Sequence, residues 1–196
     1  MIYKFNIPDE IYDELLKIKE DKSVKHNSKL AGNIREEYLL NKHLNIVEPF
    51  IIYQLSKIDD LKKYCSNLNI MLPNPLPLKL ESLWVNHQKK HEFNPLHNHS
   101  GIFSFILFIK IPYLHEQERS LSPGIEANSD KAGMLSFYFA DSGEAGGIGQ
   151  LTLPVDQTWE KTGLIFKASL NHEVYPFFSE GVRITMSGNV SFYNGN

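Results

Sequence analysis

The second half of the chain breaks into short extended runs, none longer than a strand, separated by turn-forming stretches. Runs at about 80–90, 102–112, 133–140, 149–153, 163–169 and 182–193 alternate with turns such as Ser122–Gly124, Asp141–Gly147 and Ser179–Gly181. Gly, Pro, Asp and Ser supply the tight or left-handed backbone that ends a strand. Many short strands with Gly-rich turns restrict the architecture to a sandwich or barrel. The expectation is a mainly β (α+β) chain with a jelly-roll core. Its longest apolar run, Ile102 to Ile109, is strand-sized, far short of the roughly 20 residues that span a bilayer. No membrane partner is expected.

The first 70 residues read mainly as helix. Pro8 suits a first helical position, and Ile11, Leu15 and Ile18 recur at helical spacing to about Glu20. Residues 21–44 are polar and read as loop plus a short strand or turn. A second helix is expected from about Ile46 to Asn67, with Val47, Phe50, Ile51, Leu55, Ile58, Leu61, Tyr64 and Cys65 on one face. Pro73, Pro75 and Pro77 then end helical structure. Two such helices have too little core of their own. They are expected to buttress the sheet from outside, as residues 1–70 of a single domain spanning 1–196 whose jelly-roll core covers 79–193.

The formal net charge of −3 gives no electrostatic reason to expect a nucleic-acid partner. The single Cys65 has no internal disulfide partner, and the N-terminus shows no basic region followed by an apolar stretch. Both features point to the cytoplasm. The histidines carry more information, because four of the eight lie between positions 87 and 99.

Within that cluster, His97 and His99 are spaced i and i+2. In an extended segment both side chains lie on one side, so the two imidazoles converge. Imidazole ligates iron, zinc, copper and nickel alike. The pair falls in a short connection between the extended run ending near Glu92 and the apolar run beginning at Ile102, a mouth position in a jelly roll. Further on, a strand-like run feeds His172, and Arg183 then opens the last strand with Thr185 and Ser187 on its face. An arginine fork with a hydroxyl two residues on is a receptor for one carboxylate. His26, His43, His87, His91 and His115 read as structural or solvent-facing.

In this order, Trp84–Asn86, Pro95–Gly101, Asn171–Val174 and Arg183–Thr185 resemble the iron(II)- and 2-oxoglutarate-dependent oxygenases, especially small hydroxylase-like proteins of bacteria and their phages. The resemblance covers about residues 80–193. It implies a double-stranded β-helix with helices packed outside, and iron(II) held by His97, His99 and His172. It also implies 2-oxoglutarate held at its distal carboxylate by Arg183 and Thr185, with Asn86 as a further cofactor contact. The activity implied is hydroxylation of a small-molecule or peptide substrate, coupled to conversion of 2-oxoglutarate to succinate. One position departs from the family pattern: His99 stands where the usual triad has Asp or Glu. Three neutral imidazoles leave the centre one charge more positive, and Glu92 and Asp141 are the alternative carboxylates.

Two other readings stay open on sequence grounds. One is a cupin-like three-histidine dioxygenase or isomerase without 2-oxoglutarate. The other is a non-catalytic β-sandwich. Phe103, Phe105, Phe137, Tyr138, Phe139, Phe177 and Phe178 are the aromatics available to wall a dry site. The polar stretch from Leu114 to Lys131 reads as a long loop. The sequence carries no signal of substrate identity or oligomeric state.

Overall fold

The computed structural model describes residues 1–58, 78–140 and 147–193. The end of the second expected helix beyond Ile58, with Cys65, Pro73, Pro75, Pro77 and Asp141, lies outside the described residues.

Among the described residues, ten strands and three α-helices follow one another. The strands are β1 (Ile2–Asn6), β2 (Glu37–Leu39), β3 (Leu78–Lys89), β4 (Asn94–His97), β5 (Phe103–Lys110), β6 (Leu135–Ala140), β7 (Ile148–Leu153), β8 (Thr162–Lys167), β9 (Asn171–Val174) and β10 (Val182–Phe192). The helices are α1 (Asp9–Ile18), α2 (Leu44–Ser56) and α3 (His115–Leu121). Six strands form one antiparallel sheet in the order β1-β8-β5-β10-β3-β2, and four form a second in the order β4-β9-β6-β7. Two facing antiparallel sheets with these crossovers make a double-stranded β-helix, the jelly roll expected from the strand pattern.

The period-2 alternation of the strands builds two cores on opposite faces of the larger sheet. On β5, Phe103, Phe105, Leu107 and Ile109 join Leu15, Ile18, Val47, Ile51 and Leu55 of α1 and α2. Ile106 and Phe108 of the same strand face the other way, onto Leu135 and Phe137 of the smaller sheet. Both faces of β5 are covered, so its one internal polar side chain, Ser104, is buried and donates to Asn189 Oδ1 at 2.8 Å, and only Lys110 at its end is exposed. Replacing Phe105, which is 1% exposed, by Ala should destabilise the fold by about 3–5 kcal/mol with a matching fall in Tm. A chemical-denaturation curve reads this directly. Gly188 of β10 fits the same layer for a steric reason. A Cβ there would lie 2.5 Å from the Ser82 carbonyl oxygen and 2.6 Å from the Phe105 ring.

The N-terminal segment differs from the helical expectation in one respect. Ile2–Asn6 is a strand, paired antiparallel with β8 from Ile2↔Phe166 to Asn6↔Thr162. Tyr3 and Phe5 turn toward the helices and Ile2 toward the other core, a five-residue alternation too short to stand out beside the helix that follows. The stretch 114–131 is also not all loop, since it opens with α3. Glu118 of that helix is fully buried and accepts from the backbone N–H of Phe178 and Ser179. Its carboxylate holds the turn that leads into β10.

Candidate metal and co-substrate site

The inward face of the larger sheet is polar where the outward face is apolar. On β10, Arg183, Thr185, Ser187 and Asn189 alternate with Ile184, Met186 and Val190, and only the latter three join the helix-side core. On β3, Trp84, Asn86 and Gln88 alternate with Leu83, Val85 and His87. Antiparallel pairing sets these side chains in rows: Gln88 beside Arg183, Asn86 beside Thr185, and Trp84 beside Ser187. Glu37 of β2 extends the middle row on the other side of Asn86. Together with residues of the smaller sheet they line a cavity of about 220 Å³.

The smaller sheet supplies the histidines. His97 ends β4 and lies directly opposite His172 of β9. His99, two residues on, is anchored by its backbone N–H to the Ala168 carbonyl at 2.9 Å. Ligand atoms of His97, His99 and His172 all lie within 4.8 Å of one another, and no carboxylate joins them among the described residues. The Nε2 atoms of His99 and His172 are 3.2 Å apart, close to the ~3.0 Å between two imidazole nitrogens at right angles on one metal with ~2.1 Å bonds. His97 Nδ1 meets the Pro95 carbonyl at 2.7 Å, and His172 Nδ1 meets the Leu170 carbonyl at 2.9 Å. A carbonyl only accepts, so each Nδ1 carries the proton and each Nε2 keeps its lone pair for a metal.

Burial disfavours the charged form of all three imidazoles. Desolvation lowers His97. Desolvation, then the neighbouring imidazoles, brings His99 down to about 3 and His172 to about 4. Metal binding therefore displaces few protons near neutral pH. Affinity for a divalent ion should fall less between about pH 7.5 and about 5.5 than the loss, on the order of 1,000-fold, expected of three ordinary imidazoles. Competitive chelator titration at each pH checks this. The same shifts have a stability consequence. The unfolded chain takes up these protons first, so the metal-free fold is fully supported above pH 6.5 and loses stability as the pH falls toward 4.

At the other end of the cavity lies Arg183, 3% exposed. Its Nε and Nη2 donate to Gln88 Oε1 at 3.1 and 2.6 Å, and its Nη1 donates to the Tyr113 hydroxyl and the Gly133 carbonyl, both at 2.8 Å. The Phe177 ring centroid is 5.7 Å from its Cζ. All these partners are neutral, and no acidic side chain pairs with Arg183 among the described residues. A buried cation without a counter-charge costs several kcal/mol. An anion entering the cavity offsets that cost. Thr185 Oγ1 accepts from Asn86 Nδ2 at 3.4 Å, and Asn86 Oδ1 is buried with no hydrogen-bond partner.

Sequence reasoning named six residues around this cavity, and the fold brings all six to its walls: Asn86, His97, His99, His172, Arg183 and Thr185. It named neither Gln88 and Tyr113, which fix the guanidinium plane, nor Glu37. Burial, then the Glu92 carboxylate, pushes Glu37 up to about 7. Of the two alternative carboxylates, Glu92 instead accepts from the backbone N–H of Lys89 and Arg35 at 2.9 and 3.2 Å. Of the aromatics, Phe137 packs on His172 and Phe177 on Arg183. Phe103 and Phe105 face the helices, and Phe139 is largely exposed. Trp84 and Phe166 complete the wall, with ring centroids 5.6 Å from His99 and 4.9 Å from His172.

Comparison with known proteins places this arrangement. Residues 82–189, more than half of the chain, match the model of the 2OG-Fe(II) oxygenase family. No curated protein matches the sequence. Among solved structures, a prolyl-4-hydroxylase from Pseudomonas putida aligns at a TM-score of 0.52 and 14% identity, over 98% of this chain and 93% of that one. HygX from Streptomyces hygroscopicus, solved with nickel, 2-oxoglutarate and hygromycin B, aligns at 0.55 and 9%, over 98% and 83%. The non-heme α-ketoglutarate-dependent epimerase SnoN of nogalamycin biosynthesis aligns at 0.56 and 11%, over 97% and 76%. At these identities the likeness is one of fold. The family match goes further than the fold, and by it the chain belongs to the iron(II)- and 2-oxoglutarate-dependent oxygenases.

Proposed function

We propose that this oxygenase is a hydroxylase of a small-molecule or peptide substrate, with His97, His99 and His172 as its iron ligands. Arg183 and Thr185 hold the distal carboxylate of 2-oxoglutarate, with Asn86 beside them. One observation carries this reading: a single cavity holds three converging neutral imidazoles at one end and a buried arginine without an acidic partner at the other.

Iron(II) with 2-oxoglutarate and dioxygen supplies oxidation of a substrate C–H bond to C–OH, while 2-oxoglutarate becomes succinate and carbon dioxide. The chain's own residues bind, orient and exclude water. The Pro95 and Leu170 carbonyls fix two imidazole planes before the metal arrives. Gln88, Tyr113 and Gly133 take four of the five guanidinium N–H groups and hold it in one plane, so a carboxylate meets a fixed positive charge with one Nη2–H left to donate. Phe137, Phe166 and Trp84 exclude water around the histidines. Three neutral ligands leave the metal's full double charge in place, and the 2-oxoglutarate dianion offsets it in the way the usual carboxylate does in part.

The prolyl-4-hydroxylase among the fold neighbours supports hydroxylation, whereas the epimerase marks the competing outcome. The test is turnover under isotopically labelled dioxygen with iron(II), 2-oxoglutarate and pooled metabolites and peptides, read by mass spectrometry. A hydroxylase yields a product heavier by one labelled oxygen atom, together with succinate. Succinate accompanied by a product of unchanged mass would refute hydroxylation while leaving the oxygenase centre intact.

A further inference from the structure

Among the described residues two acidic side chains are almost fully buried, and they are held very differently. Glu118 receives two backbone N–H groups and the Ser179 hydroxyl. Glu37, 1% exposed, receives one hydrogen bond among the described residues, from Asn27 Nδ2 to Oε2 at 3.2 Å. No ion pair joins it to a cation among the described residues, although the exposed Lys29 lines the same cavity. A buried carboxylate with so little support is costly. It borders the same cavity as the histidines.

Further acceptors lie beside it. Asn86, in register beside it on β3, is 6% exposed, and its Oδ1 has no partner. Asn94, which begins β4, brings a third oxygen. A Cβ built on Gly32 would lie 2.5 Å from Glu37 Oε1 and 2.4 Å from Asn94 Oδ1, so both oxygens pack close to one another against the bare Gly32 backbone, and a side chain there would displace them. Glu37 Oε1, Asn94 Oδ1 and the unpartnered Asn86 Oδ1 are thus three acceptors on one stretch of the cavity wall.

We propose that the corner formed by Glu37, Asn86, Asn94 and Gly32 binds a primary ammonium group of the substrate. The compact arrangement favours ammonium, whose three N–H donors radiate from one atom, over the flat guanidinium fork. Charge-assisted bonds from such a group to Glu37 Oε1, Asn94 Oδ1 and Asn86 Oδ1 satisfy all three acceptors at once. The substrate class is then an amine-bearing molecule, an amino acid or an amine-modified metabolite, anchored by its cation while a C–H bond faces the histidines. This deepens the oxygenase reading of the cavity and rests on it.

The test is calorimetric titration of the protein loaded with nickel(II) and 2-oxoglutarate, using n-pentylamine and n-pentanol as probes of equal length. The amine should bind at least tenfold more tightly than the alcohol. Glu37→Gln should abolish that preference while leaving 2-oxoglutarate affinity unchanged. Gly32→Ala, which fills the corner without altering charge, should weaken the amine as well. Equal affinity for the two probes, or a preference that survives Glu37→Gln, would overturn the proposal. So would a Glu37→Gln variant that loses 2-oxoglutarate rather than amine. The nickel and 2-oxoglutarate titrations that precede the amine report separately on the oxygenase reading, so its failure is visible on its own.

Discussion

Replacing His172 by Ala is expected to lower iron(II) affinity by more than about 100-fold, beyond the 10–100-fold typical of losing a group that merely supports a ligand. His172 is 2% exposed, lies opposite His97 across the β4–β9 pair, and is packed between Phe137 and Phe166. Two imidazoles remain, and no described carboxylate is placed to replace the third. Iron-dependent formation of succinate should fall to background. His87→Ala is the matched control. That residue is also buried, but its ring contacts the Lys19 carbonyl beyond the end of α1, on the far face of the sheet. Metal affinity there should be unchanged, and chelator competition on both variants reads the difference.

Arg183→Ala should raise the Kd of 2-oxoglutarate at least ~30-fold, from the 2–5 kcal/mol typical of removing one partner of a buried hydrogen-bonded charge pair. Arg183→Lys should recover little of it. A lysine keeps the charge but cannot make the four planar bonds to Gln88, Tyr113 and Gly133 that fix the guanidinium's position. Metal affinity measured without 2-oxoglutarate should stay near that of the unmodified protein, because Arg183 sits on the opposite sheet from the histidines. Calorimetric titration of the nickel(II)-loaded variants separates the two effects.

The strands that run through both cores were the most legible in sequence. β5 is a near-continuous apolar run because both its faces are covered, and β10 shows alternating polar and apolar positions because one face meets the cavity. The short strands were less visible. β4 and β9 have four residues each, β4 contains Pro95, and its pairing with β9 is irregular between Asn94 and His97. Even so, they carry His97 and His172. The spacing of the histidines was readable, but the backbone that brings them together was not.

The supporting residues were hidden for different reasons. Gln88 continues the polar alternation of Trp84 and Asn86, so a signal for it existed on β3. Tyr113 follows a proline in an irregular segment, where periodicity says nothing about direction. Glu37 lies in a polar stretch, and only pairing with Asn86 turns it inward. α3 looked like loop because its one buried side chain is an acid, Glu118, serving backbone N–H groups far along the chain.

The most direct test of the three-histidine centre is anaerobic addition of 2-oxoglutarate to the iron(II)-loaded protein, followed by visible absorption. A charge-transfer band that requires both components, saturates at one 2-oxoglutarate per chain, and is lost in His172→Ala and Arg183→Ala is the predicted result. Iron(II) binding with no band, and with no response to 2-oxoglutarate, would contradict the account.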